Sequence, residues 1–364
     1  MNVCIVGDGI TSLSLAKNLI NKKINVHIYQ KKIINNSFLS RTIGISKNNL
    51  KFFKKEILQL PKKIIWEIKK IEIYSEKEGT NKILNFENSK KNLFYMVKND
   101  EIYRSLNSEL SKNKLFKKIK IKKNSYNAIQ KKNNYDLIIN CDQDNPISKK
   151  NFIKKIDKDY QNIAYTTILE HEKLENNSAI QVFTNLGPIA FLPISNNKTS
   201  VVFSIDIKNK IYSEDQILDF INKFNPKFEI KKILRLNSFK LKSSNLRKYY
   251  HKNILAFGDL LHKVHPLAGQ GFNMTLRDIK DLSKIIQDKI NLGLQFDSLI
   301  LEEFQNKTKN YNFIFSTGID FIYEIFNFDK KIKGKNLNKI FKIFGKNKKF
   351  MNLIIKCADK GIHI

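Results

Sequence analysis

Residues 2–20, NVCIVGDGITSLSLAKNLI, hold a short apolar run, a glycine turn, and apolar positions Leu13, Ala16, Leu19 and Ile20 at helical spacing. The order is strand, tight turn, helix. The run INVHIY at 24–29 follows as a second strand, closing a βαβ unit of about 30 residues. A right-handed crossover makes such strands parallel neighbours, so the chain is committed to an α/β fold. Gly7 and Gly9 permit a turn whose backbone N–H groups can approach a pyrophosphate, and the following helix dipole favours that negative charge. Two positions depart from the usual dinucleotide pattern. Ser12 stands where a third glycine normally lets helix and strand pack, and Gln30 where an acid normally bonds a ribose. Gln30 can still form a hydrogen bond, as a neutral partner.

Two further strand-like runs follow, YDLIINCD at 135–142 and NILAFGD at 253–259. Between them IAYTTIL, AIQVFT and TSVVFSIDI, punctuated by Asn and Gly, read as antiparallel sheet over 160–207. From about 274 onward the pattern is helical. The expected division is a discontinuous nucleotide-binding domain (1–60, 97–158 and 250–300), a β-rich domain (61–96 and 159–249) and a helical C-terminal region (301–364).

Charge enters as a question about partners. The 66 Lys and Arg against 34 Asp and Glu give +32 over 364 residues, which in isolation suggests nucleic acid or an anionic membrane. Lys, Asn and Ile recur at similar density from end to end, so a compositional bias accounts for the excess without a functional patch, and no nucleic-acid partner is expected. Attraction to a membrane surface remains as the functional reading. Cys4, Cys141 and Cys357 are odd in number and share no metal-ligand spacing with the histidines, so a reduced, cytoplasmic setting without a metal is expected. The N-terminus does not read as a cleavable signal, and no run of about 18 apolar residues offers a membrane span.

The second dense motif is FGDLLHKVHPLAGQGFNMTLRDIKDL, residues 257–282. It resembles the second FAD motif of class A flavoprotein monooxygenases, and HPLAGQGFNMTLRD is similar in particular to the ubiquinone-biosynthesis hydroxylases. RTIGIS at 41–46, LFYMVKN at 93–99, AIQVFTNLGPIAFLPI at 179–194 and the tail near LIIKCADKGI resemble that family in the same order.

The resemblance implies a glutathione-reductase-like FAD-binding Rossmann domain with an inserted β-sheet substrate domain and a helical C-terminal end. It implies FAD contacts at Gly7, Gly9, Arg41, Asn99, Asp259, Gly269, Gly271 and Asn273. Ser12 and Gln30 occupy cofactor-binding positions with substituted residues; Pro266, Gln270 and Phe272 complete the loop. Asp259 would accept from ribityl hydroxyls, and the helix start near Phe272 and Asn273 would stabilise charge on the flavin ring. The implied reaction is hydroxylation of the aromatic ring of a prenylated ubiquinone precursor, with O2 activated as a flavin C4a-hydroperoxide. Electrons would come from an external reductant: NADH, NADPH or a small redox protein.

The family's Ala-Asp-Gly turn stands here as Cys141-Asp142-Gln143, which places electron delivery in question. His262 and His265 leave two readings open, packing of the turn or proton transfer; for the second, His265 beside Pro266 is the catalytic candidate. Around Gly187, Phe191 and Pro193 the run GPIAFLPI would line an apolar substrate pocket or form ordinary sheet core. In the tail, Leu337, Ile340, Phe341 and Phe344 share a helical face apart from Lys339, Lys342 and Lys346. That face would suit a peripheral attachment at the inner membrane, or a helix docked on its own domain. Two rival functions stay in view: a silent FAD-binding subunit of a quinone-biosynthesis assembly, favoured by Ser12, Gln30 and Gln143, and a flavin reductase of prenyl chains.

Overall fold

A computed structural model describes residues 1–31, 41–76, 82–87, 92–122, 125–131, 135–207, 210–266, 269–331 and 359, with side chains left undescribed at 322 and 325–331. The first strand, Asn2–Val6, lies inside a six-stranded sheet. From one edge the order is Tyr250–His251, Ile254–Ala256, Leu137–Asn140, Asn2–Val6, Asn25–Gln30 and Phe116–Lys120. All but the 250–251 edge strand run parallel. Parallel strands covered on both faces carry unbroken apolar runs, as Val3 to Val6 and Leu137 to Ile139 do, all buried. The helix Ile10–Ile20 buries Leu13, Ala16, Leu19 and Ile20 against this sheet, the positions its sequence spacing selects.

The β-rich part is a second, larger sheet. Its main path runs His262–Lys263, Asn237–Leu246, Lys155–His171, Lys198–Asp206, Pro188–Ser195, Ser178–Phe183, Lys70–Ser75 and Lys82–Glu87, with Ile230–Ile233 also pairing with the 155–171 strand. The expected antiparallel stretch over 160–207 is present; only the 70–75 and 178–183 pair is parallel. The helix Glu214–Lys223, opened by a Ser213/Gln216 capping box, lays Ile217 and Ile221 on one face of this sheet. On the other side stands a small sheet of Thr42–Ser46, Phe94–Lys98 and Ile65–Ile68. Thr42 Oγ1 donates to Ser200 Oγ at 2.8 Å, joining the two sheets.

Helices Gly271–Asn291 and Ser298–Lys331 complete the body. The second returns Ile300, Leu301 and Phe304 to the core of the parallel sheet and carries Asp320 and Tyr323 to the β-rich part. Among the described residues no helix is long and apolar enough to cross a membrane. The apolar face drawn through Leu337, Ile340, Phe341 and Phe344, and the tail motif apart from Asp359, lie outside the described residues.

Candidate functional site

The loops that leave the carboxyl ends of the parallel strands meet at one place, where open α/β sheets bind ligands. Gly7 has φ +106°, a conformation that disfavours a side chain, and its N–H donates to Tyr29 O at 2.9 Å. Gly9 caps the 10–20 helix in extended conformation, and a Cβ added there would meet nothing within 4 Å. The first N–H groups of that helix lack intrahelical acceptors, so the open space above Gly9 fits an anionic pyrophosphate. Ser12 is buried beneath the turn, its Oγ 3.5 Å from where a Cβ on Gly7 would lie. A small third residue is thus accommodated under the loop. Burial pushes the neighbouring Cys141 thiol up to about 12, with the Ser12 hydroxyl pulling the other way, so the thiol stays protonated.

Asp8 puts a carboxyl group into the same turn. Burial raises its pKa, Lys118 pulls it back, and among the described residues Oδ2 has no hydrogen-bond partner. Gln30 ends its strand, with its carbonyl accepting from Ile121 N–H at 2.8 Å and its side chain half-buried. Beyond it, Lys31 pairs with Asp142 at 2.7 Å, spanning the ends of two strands.

Asp259 is exposed in a turn that glycine makes possible. Gly258 has φ +63°, and a Cβ there would fall 2.7 Å from Thr11 Cγ2. The Gly258 turn therefore sits directly on the 10–20 helix. Gln143 reaches across from the 141–143 segment and donates through Nε2 to the Asp259 carbonyl. Arg41 lies 4.1 Å from the Phe239 ring centroid; burial lowers its pKa and Asp259 raises it. Its carbonyl accepts from Asn99 N–H at 2.8 Å, so Arg41, Asn99 and Asp259 converge although the sequence scatters them.

Residues 265–266 and 269–273 close the site. Gly269, at φ +62°, donates to Pro266 O at 3.2 Å and would place a Cβ 3.6 Å from Gly44 N. Gln270 occupies the cap position without a side-chain cap, Gly271 opens the helix and Phe272 packs half-buried on the main core. Asn273 is buried, and its side chain is committed to protein on every side. Its Nδ2 donates to Gly44 O at 2.8 Å and Gly269 O at 3.2 Å; its Oδ1 accepts from Ser46 N and Asn49 Nδ2, each at 2.9 Å. Its carbonyl accepts from Asn49 Nδ2 at 3.2 Å as well, so what Asn273 has left for a ligand is its backbone N–H, in the first turn of the helix.

The two histidines face inward. His262 Nε2 donates to Asp278 Oδ2 at 2.5 Å, and Asn312 Nδ2 donates to Asp278 Oδ1 at 2.9 Å, a buried chain linking three elements. His265 stacks on Tyr323 with centroids 4.4 Å apart and meets the Tyr160 ring edge-on at 4.9 Å. Burial, assisted by Lys158, drives its pKa down to about 3, so it is neutral near pH 7 and cannot serve as a charged acid there. Tyr160 donates to Asp320, fastening the 298–331 helix over this ring pair.

Strand alternation sorts the GPIAFLPI run. Gly187, at φ +149°, would place a Cβ 1.8 Å from Ser204 O, so it serves the turn. Phe191 is fully buried in the core shared with the 214–223 helix, and Pro193, two positions on, shares its face. Leu192 and Ile194 point the other way, toward Trp66, Phe94 and Met96 of the small sheet. Gly44 connects that apolar layer to the 265–273 segment, since a Cβ on it would lie 3.4 Å from Phe94 and 3.6 Å from Met96 Sδ. Apolar content alone does not reveal which of Phe191 and Leu192 faces the site; the period-two pattern, counted from Gly187, could have.

Assembled in this way, the molecule has the fold of FAD-dependent monooxygenases. It superposes on p-nitrophenol 4-monooxygenase PnpA from Pseudomonas putida DLL-E4 with TM-score 0.78 at 13% identity, covering 100% of this chain and 98% of that one. It also matches Klebsiella pneumoniae HpxO, solved with FAD and uric acid, with TM-score 0.73 at 12% identity over 98% and 96% of the two chains. The chain belongs to the squalene epoxidase family, whose model matches residues 136–357. Relatives named for ubiquinone chemistry include the mitochondrial ubiquinone biosynthesis monooxygenase COQ6 of Dictyostelium discoideum, 22% identical over 89% of this chain and 84% of its own length. The 3-demethoxyubiquinol 3-hydroxylase of Escherichia coli is 29% identical over 40% of this chain and 39% of its own. The match to the Caenorhabditis elegans COQ6 protein likewise spans 44% of that relative.

Proposed function

We propose that this chain binds FAD and hydroxylates the aromatic ring of a prenylated ubiquinone precursor, using O2 and an external reductant. The observation that carries the reading is the convergence of the Gly7–Gly9 turn, the Asp259 turn and the Gly269–Gly271 loop at the ends of the parallel strands. The residues present fit the cofactor. The open space at Gly9 takes the pyrophosphate, with Ser12 supporting the turn from below and Gln30 offering its amide to the adenosine ribose. Asp259 takes ribityl hydroxyls. Arg41 and Asn99 flank them, and Pro266, Gly269, Gln270, Gly271 and Phe272 border the ring, with the backbone N–H of Asn273 directed to it. Bound there, the flavin supplies the activation of O2.

The chain's own groups do the remaining work. N–H groups at the start of the 271–291 helix stabilise negative charge where they point. Trp66, Phe94, Met96, Leu192 and Ile194 exclude water and offer a surface to a prenyl tail, while Gly187, Phe191 and Pro193 brace that surface from behind. His265, neutral and enclosed, positions Pro266. NADH, NADPH or a small redox protein delivers electrons. A quinone-biosynthesis assembly and a membrane surface are the partners such a substrate suggests, with the protein cytoplasmic and peripheral to the inner membrane.

The test is purification with an absorption spectrum, then anaerobic reduction and exposure to oxygen with a prenylated phenol present. Product heavier by one oxygen supports the hydroxylase. Bound FAD that never yields product with any donor points to the silent subunit, for which the Gln143 bridge is the structural argument. Protein that cannot be loaded with FAD sinks both readings.

A further inference from the structure

Asp359, far along the chain from the glycine turns, makes three hydrogen bonds to the segment after the Thr42–Ser46 strand. Asn48 donates to it twice, from its backbone N–H to Oδ1 at 2.8 Å and from its side-chain Nδ2 to Oδ2 at 2.8 Å. Ser46 Oγ donates to the Asp359 carbonyl at 3.1 Å. Both carboxylate oxygens are thus occupied by one residue, a two-point attachment that fixes orientation as well as distance.

The segment so held is the one that grips Asn273. Ser46 N–H and Asn49 Nδ2 both donate to Asn273 Oδ1 at 2.9 Å, and Asn273 Nδ2 in turn donates to Gly44 O and Gly269 O. Hydrogen bonds therefore tie Asp359 to Ser46 and Asn48, and Ser46 and the adjoining Asn49 to Asn273 and, through it, to Gly269. Charge adds to it. Arg277, one helical turn beyond Asn273, stacks 4.4 Å from the Phe315 centroid of the 298–331 helix. Burial lowers its pKa to about 10, opposed by Asp278, Asp281 and Asp359. Asp359 thereby faces both the 47–52 segment and the 271–291 helix.

We propose that Asp359 is a positioning residue for the cofactor site, a latch by which a side chain distant in sequence sets the Gly44–Gly269 contact through Asn48, Asn49 and Asn273. The proposal rests on the FAD reading for its functional consequence, while the latch itself can be read without FAD. A hydrogen bond to a charged group contributes roughly a tenfold factor. Asp359→Ala removes two, so FAD binding should weaken by at least the factor for one, about tenfold. Asp359→Asn keeps an acceptor for Asn48 N–H and should stay within about threefold of wild type.

The experiment uses the full chain as wild type, D359A, D359N, N48A and the N48A/D359A pair. Two readouts are taken: FAD affinity with the shape of the visible flavin band, and hydrogen exchange at Ser46 to Asn49 in the FAD-free protein. The latch predicts faster exchange and weaker FAD binding in D359A, recovery in D359N, and a double variant less impaired than the sum of the singles. Unchanged exchange in D359A overturns the latch whatever FAD does. Faster exchange with unchanged affinity and spectrum overturns the positioning role, leaving a structural contact. Wild-type protein that binds no FAD refutes the cofactor reading and is recognised separately, because the exchange arm still reports on the latch. Should D359A not fold, D359N and N48A decide by the same two readouts, each with a smaller expected effect.

Discussion

Asn49 Nδ2 donates to Asn273 Oδ1 at 2.9 Å, so a side chain from the 47–52 helix fastens the first turn of the 271–291 helix. Replacing Asn273 by Ala strands the buried Ser46 N–H and two glycine carbonyls, while the Asn49 amide keeps its second acceptor, the Asn273 main-chain carbonyl at 3.2 Å. Each buried group left without a partner costs about 1–3 kcal/mol. We expect N273A to lose at least about 3 kcal/mol in urea unfolding. A loss below about 1 kcal/mol would show that water replaces the network.

Gly258 has no room for a methyl group beside Thr11 and sits in the left-handed region. Gly258→Ala should weaken FAD binding by about tenfold or more and destabilise the fold by about 1–3 kcal/mol. Thr11→Ser in the same protein removes Cγ2, the atom that would clash. It should recover part of the loss, since the backbone strain remains; full recovery would assign the whole effect to the clash.

Protonation of His265 gives a pH dependence with a definite sign. Its pKa falls from the ordinary 6.5 to about 3 in the folded protein because burial, and secondarily Lys158, disfavours the cation. The unfolded chain therefore takes up a proton near pH 6.5 that the folded one refuses. Stability is full above that pH and declines toward pH 3, by at most about 1.4 kcal/mol per unit. Between pH 7 and 5 wild type should lose about 2 kcal/mol more than His265→Phe in urea melts. Parallel pH dependences in the two proteins would show that the ring titrates normally.

Gln143 stands where the resembled family has a glycine, and its side chain spans to the Asp259 carbonyl. Losing a hydrogen bond of this kind costs about 0.5–1.5 kcal/mol, a factor of roughly two to ten. Both Gln143→Gly and Gln143→Glu, which offers no donor when ionised, should weaken FAD binding by that factor. Glycine should in addition speed anaerobic reduction by NADH or NADPH, because it clears the turn. Equal reduction rates would remove the side chain from the reductant's path.

Leu192 and Phe191 are neighbours with opposite duties. Phe191→Ala empties a fully buried site and should cost about 3–5 kcal/mol. Leu192→Ala, on the half-buried face, should cost less stability and raise KM for a prenylated phenol several-fold while sparing a short phenol. The reverse pattern in steady-state kinetics and melts would put the substrate on the helix-covered face.

Much of the fold is legible because local pattern and global arrangement agree. Val3 to Val6 and Leu137 to Ile139 read as buried strands because parallel sheets leave no polar face to confuse the period. Glycines 7, 258 and 269 announce their turns, each having positive φ. The Gln143 bridge, the burial of His265 between Tyr160 and Tyr323, and the Asp359 contacts were not legible. Each joins residues more than 50 positions apart through side-chain geometry, which no local period encodes. The Asp8 carboxyl group was missed for another reason. Its partner Lys118 lies two strands away, so the charge in the turn carried no visible compensation in the sequence.

The strand order of the parallel sheet also governs when the protein can become itself during synthesis. Asn2–Val6 pairs on one side with 25–30, soon available, and on the other with 137–140, while 254–256 must lie beyond that. A ribosome has therefore released more than two-thirds of the chain before the last strand is in hand. Until then the apolar edge of 137–140 is uncovered, a surface for chaperones or for misassociation. The larger sheet draws most of its strands from 155–246 and can consolidate earlier. Nascent chains should accordingly acquire a protease-resistant β-rich part first, and competence to hold a dinucleotide only near the end of translation.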